Sequence, residues 1–150
     1  MSIVNTLSLE SNRQIKINFD GGDLSSDAGL LLIKEFVSKI GIDRLFSHSF
    51  KTNDSASFRY HTDKDNLLQM IYMIIAGYFE DDASDELTND PVFKAVLDKE
   101  ALASQPTISR FHNRLDEDYL NQFVLISQIL RKKIYSIQMP ESVILDLDST

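Results

Sequence analysis

The sequence predicts a mainly α-helical fold that delivers its chain into one buried β-strand. Three observations predict this. Apolar residues recur at helical spacing in several separate segments between Ser25 and Pro140. Most of these segments open on a residue able to cap a helix. The closing run from Val143 to Thr150 instead alternates with a period of two. There Ile144, Asp146 and Asp148 point one way, and Val143, Leu145 and Leu147 the other.

Residues 1–22 read as a short strand and turn, because Ile15, Ile17 and Phe19 alternate with Gln14, Lys16 and Asn18 before Asp20-Gly21-Gly22 breaks the run. Residues 23–139 form the helical region. Ser25 or Ser26 caps a first helix, and Asp27 in its first turn suits the positive end of the dipole. Its inner face is Leu30, Ile33, Val37 and Ile40, and Gly41 stops it. Residues Phe50 to His61 keep no period and read as a loop. Thr62-Asp63-Lys64-Asp65 then opens the clearest helix, with Leu67, Ile71, Ile74, Ile75 and Tyr78 as its stripe. Leu68, Tyr72 and Phe79 widen that stripe, which predicts the central buried helix of the fold.

Pro91 suits the first turn of a short helix through Leu97, capped by Asn89 or Asp90. Ser104-Gln105-Pro106 leads into another helix through Leu115. Asp116-Glu117-Asp118 opens a long one that faces Tyr119, Phe123, Ile126, Leu130 and Ile134 inward. Lys132 and Lys133 lie in its last turns, where cations suit the dipole. Pro140 ends it, and 140–150 is the terminal strand. No internal repeat and no low-complexity tract interrupts this order.

Composition bounds the function. With 150 residues, 43% of them hydrophobic and 25% charged, the chain has the make-up of one soluble globular domain. It has no cysteine, so disulfides and thiolate metal sites are excluded. A metal would be held by carboxylates, with His48, His61 and His112 too scattered to share one site. Such donors suit hard ions, Mg2+ or Mn2+. The start, Met1-Ser2-Ile3-Val4-Asn5, lacks the basic and apolar runs of a signal peptide. The greasiest stretch, Leu67 to Phe79, is shorter than the roughly 20 residues a bilayer span requires. A cytoplasmic location without membrane contact follows as the default. The net charge of -8 argues against non-specific adhesion to nucleic acid, so any DNA contact needs a local basic surface.

The terminal strand carries the sharpest chemistry, since an unpaired buried carboxylate is very costly. Three readings stand level on spacing. In the first, Asp146 and Asp148 hold divalent ions in an RNase H-like nuclease or strand-transfer site, with two ions about 3.5–4 Å apart. In the second, Asp-x-Asp-x-Thr is the opening motif of a haloacid-dehalogenase-like phosphotransferase, with Asp146 the nucleophile and Asp148 the general acid. That motif normally starts its domain, whereas a helical region precedes it here. In the third, the strand is an edge and both acids are solvated. A chain ending inside such a site reads as the front portion of a larger protein.

Between Ala101 and Leu115, a capped helix presents Gln105, Thr107, Ser109, Arg110 and Arg114, residue types that contact phosphates and base edges. With the preceding helix it makes a possible helix-turn-helix-like segment at 91–115, and Ile108, Phe111 and Leu115 would be its buried side. A plain capped helix with a polar face accounts for the same residues, as would a non-catalytic helical interaction module. The acids from Asp81 to Asp90 lack calcium-loop spacing and read as a solvated, capped turn.

Four blocks in order carry a resemblance. They are Leu24-Ser25-Ser26-Asp27-Ala28-Gly29-Leu30-Leu31-Leu32; the stretch from Gly77-Tyr78 through Asp85-Glu86-Leu87 to Asp90-Pro91; Leu102 to Phe111; and Leu145-Asp146-Leu147-Asp148-Ser149-Thr150. Together they resemble the N-terminal portion of bacterial insertion-sequence transposases of the DDE class, most closely the thirteen-eighty family. The resemblance implies a fold in which this helical region leads into the first β-strand of a truncated RNase H-like α/β domain. It implies an enzyme that binds the terminal inverted repeats of its element, cuts there and joins the ends to target DNA. Such an enzyme would use Mg2+ or Mn2+ and act as a homo-oligomer. Asp148, before Ser149-Thr150, matches the first catalytic aspartate, with Asp146 its neighbouring candidate. The second aspartate and the glutamate would lie beyond Thr150, so residues 1–150 alone would be inactive. An extra residue around Phe79-Glu80 departs from the commoner family pattern, and the acids there receive no role.

Overall fold

The computed structural model describes residues 6–20, 27–56 and 58–144. Its elements are β1 (Thr6–Ser8), β2 (Lys16–Asn18), α1 (Leu30–Ile40), α2 (Ile42–Ser49), α3 (Asp63–Ala76), α4 (Ala83–Glu86), α5 (Pro91–Leu97), α6 (Gln105–His112) and α7 (Glu117–Ile137). The expected strand over residues 14–19 is shorter, and it pairs antiparallel with β1 in a register that sets Leu7 opposite Ile17. Leu9 follows β1 and is buried in the core.

Helix ends follow local chemistry. The expected Ser25 or Ser26 cap lies outside the described residues. At the other end of α1, Gly41 adopts φ 69° and donates to Ser38 and Val37. The same glycine precedes α2, a helix too short for its period to register in the sequence. Thr62 and Asp65 form a capping box on α3, each side chain accepting from the other's backbone N–H. Gly77, at φ 92°, closes that helix. Asp90 caps α5 through the Phe93 N–H, with Pro91 in the first turn. The 105–115 helix is shorter than expected and stops at His112.

Which face is buried differs from expectation on two helices. On α3 the covered residues are Asn66, Leu67, Leu68, Gln69, Tyr72 and Met73. Ile74 and Ile75, expected inside, are 53% and 49% exposed. The reason is rotation: α1, α2, α5 and α6 pack on a face centred on Gln69, Tyr72 and Met73, and Ile74 and Ile75 fall off that face although Met73 in the same turn is covered. On α7, Ile126 is buried and Phe123 packs against Phe50, while Ile134 at the far end of the same stripe is exposed. The body of the fold touches α7 through α2, so the stripe outruns its partner.

Lys34 is buried on α1, and its ammonium donates to the carbonyls of Ala95 and Val96 at 2.8 and 2.9 Å. It also pairs with Asp98 at 2.6 Å, tying α1 to the C-terminal end of α5. Burial, then the charges of Asp43 and Asp98, push the nearby Tyr72 hydroxyl up to about 12. Val143 and Ile144, the first residues of the expected terminal strand, are exposed and belong to no strand. A strand satisfies its backbone only beside a neighbour, and the described sheet is the β1–β2 pair alone. Residues 145–150 lie outside the described residues.

Candidate nucleic-acid interface around α6

The turn entering α6 is clamped from below. Gln69 on α3 accepts from the Ala103 N–H and donates to the Ala103 carbonyl, each at 2.8 Å. Ser104 follows, its hydroxyl 3.2 Å from that of Thr107. Ile108 and Phe111 turn inward and are fully buried. Phe111 meets Phe50 at 6.1 Å between ring centroids, and Phe50 meets Phe123 at 5.2 Å. This aromatic row locks the rotation of α6. Its opposite side therefore faces solvent: Pro106, Arg110 and Asn113 are exposed, and Thr107 and Ser109 half-buried.

Both ends of α6 meet carboxylates. At the N-terminal end the Gln105 N–H donates to Asp85 of α4 at 2.9 Å, and at the C-terminal end His112 lies 3.4 Å from Asp81. Asp85 disfavours a phosphate at the N-terminal end. The C-terminal end meets the loop between α2 and α3. Arg114 donates to Asp63 at 3.1 Å and to the Thr52 hydroxyl at 3.4 Å, and its Nε lies 3.6 Å from Asp54. Arg59 grips Asp54 in a two-bond fork, at 2.8 and 3.0 Å. Those bonds from Arg59, then the Ala56 N–H, hold the Asp54 carboxyl well below the usual carboxylate range. Lys51 and Lys99 flank the same loop, Lys99 reaching the Tyr60 carbonyl and Asp65. Arg59, Arg114 and Lys99 are each paired with an aspartate around this end, in a chain whose overall charge is negative.

Of the residues expected to contact DNA, the fold leaves Arg110 exposed and in no ion pair among the described residues. Thr107 and Ser109 share its helix on the accessible side. Arg114 is drawn into the network with Asp63 and Asp54 and is 18% exposed. Sequence reasoning passed over Lys51, Phe58, Arg59 and Tyr60, because an aperiodic stretch offers no pattern to read. Its signal was composition, aromatic residues interleaved with basic ones. In the 91–115 segment, α5 packs on α1 and α3, while α6 packs on α3 and α4.

Residues 7–150 match the family model described as transposase DDE domain group 1. The chain belongs to that family. No curated protein matches it, and no solved structure does. For this transposase-family chain, no group of three or more His, Asp or Glu side chains that could hold a metal ion forms among the described residues. Asp146 and Asp148, the expected metal-holding acids, lie outside the described residues. Two carboxylates without thiolate or clustered imidazole are a donor set suited to a hard divalent cation. No described helix is long and apolar enough to cross a membrane.

Proposed function

We propose that this chain serves an insertion-sequence transposase of the thirteen-eighty type, which cuts at the terminal inverted repeats of its element and joins the ends to target DNA. The observation that carries the reading is the family match over residues 7–150, a span that includes the closing acids Asp146 and Asp148. In this reading the acids belong to an RNase H-like site. Asp148 and its neighbour Asp146 offer oxygen donors, and a bound Mg2+ or Mn2+ would stabilise charge on the scissile phosphodiester. Asp148 is a ligand and not a nucleophile. Arg110, Thr107 and Ser109 on α6 bind and orient the element end, and Arg114 holds the end of that helix against the 50–61 loop. The protein works in the cytoplasm as a homo-oligomer on DNA.

The test uses a mobile element carrying this gene, with Asp148→Asn and Asp146→Asn introduced singly. Transposition frequency is expected to collapse with Asp148→Asn. An unchanged frequency for both variants overturns the catalytic assignment.

A further inference from the structure

We propose that the loop between α2 and α3 forms a pocket for one unstacked DNA base, with Phe58 as its stacking surface. The proposal rests on DNA being the partner and adds a contact that the α6 reading lacks. Four observations point to it. A concavity of about 310 Å3 opens on this loop, walled by Lys51, Thr52, Asp54, Phe58, Arg59 and Asp63, at the lower end of the size typical of small-ligand sites. Phe58 is 80% exposed at its edge, so a ring face is available.

The loop is also held in place at several points. Thr52 donates through its N–H and hydroxyl to Asp63, at 2.9 and 2.7 Å, and the Arg59–Asp54 fork crosses the loop. An aromatic ring on a fixed support stacks at lower entropic cost than one on a free chain. Finally, Lys51 supplies a cation at the rim for the flanking phosphate, and the Arg110 face of α6 lies on the helix whose end is tied to this loop through Arg114.

Stacking of a base on an aromatic side chain tolerates any base and contributes about 1–3 kcal/mol. Fully paired duplex keeps its bases stacked on one another and gains nothing from Phe58. The pocket therefore serves a frayed or distorted position, such as DNA being opened at an element end.

The experiment measures binding of the full chain to two labelled duplexes of one element-end sequence, one fully paired and one with a single unpaired nucleotide. The wild type is expected to bind the unpaired form about tenfold tighter. Phe58→Ala should abolish that preference while leaving affinity for the paired duplex and the unfolding midpoint unchanged, and Phe58→Trp should retain it. Equal binding of both duplexes by the wild type, or a preference that survives Phe58→Ala, overturns the pocket. Loss of paired-duplex binding with Arg110→Ala alone bears on α6, so the two readings fail separately.

Discussion

Gln69 and Ala103 lie 34 positions apart in the chain, yet they hold each other through two hydrogen bonds, both 2.8 Å long. The side-chain amide stands in for a strand neighbour, satisfying the N–H and the carbonyl of a residue that is fully buried. This pair sets where α6 begins, and so which of its residues meet solvent.

Removing the amide leaves both backbone groups of Ala103 desolvated and unpaired. Gln69→Leu is expected to lower stability by about 2–4 kcal/mol, since each orphaned buried group costs about 1–3 kcal/mol. One turn earlier, Asn66 is equally buried, but neither its Oδ1 nor its Nδ2 meets a hydrogen-bond partner among the described residues. Asn66→Leu should therefore shift stability by less than about 1 kcal/mol, because no paired group is orphaned. Urea unfolding midpoints compare the two variants. A larger loss at Asn66 than at Gln69 would contradict this accounting.

Acid should weaken both the 50–61 loop and the start of α3. The Asp54 carboxyl is depressed in the fold by its bonds from Arg59 and the Ala56 N–H. Asp65 is depressed too: burial raises it, but the Lys99 ammonium and the Thr62 donors outweigh burial. A depressed acid contributes stability that is fully present above its unfolded value, 3.8 for both, and lost as pH falls through the folded one. Stability is therefore expected to decline below pH 3.8, with a shallower decline in Asp54→Asn. Denaturation midpoints across that range, for wild type and variant, provide the comparison.

Two arginines four residues apart should behave differently. Arg110→Ala removes an exposed cation, so the unfolding midpoint should hold while affinity for element-end DNA falls and its salt dependence weakens. Arg114→Ala strips Asp63 of its guanidinium partner in a half-buried setting and should cost about 1–3 kcal/mol of stability. Its effect on DNA binding should follow from a displaced loop, and Arg114→Lys should restore part of it. Thermal melts paired with binding titrations separate these outcomes. Unchanged stability in Arg114→Ala would remove the network from the account of the fold.

Element ends were readable from the sequence where a few neighbouring atoms decide them. The Thr62–Asp65 start, the Asp90-Pro91 start and Gly41 after α1 each solve a local problem of orphaned N–H or C=O groups or of positive φ, whereas the stripe read on through Tyr78 and Phe79 hid the stop at Gly77. β1 and α2 escaped because three extended residues and an eight-residue helix offer too few periods to register.

The sequence by itself determined that this is a helical chain, where most helices start and stop, and which family it joins. Only the tertiary structure decided which faces those helices cover and which cations remain free. Ile74 and Ile134 repeat the pattern of buried residues and yet lie exposed, because periodicity specifies a stripe but not which part of it a neighbour covers. Arg110 and Arg114 are the same residue type on one short stretch. Asp63, 51 positions before Arg114, engages one of them and leaves the other open, and a contact so distant in sequence has no local signature.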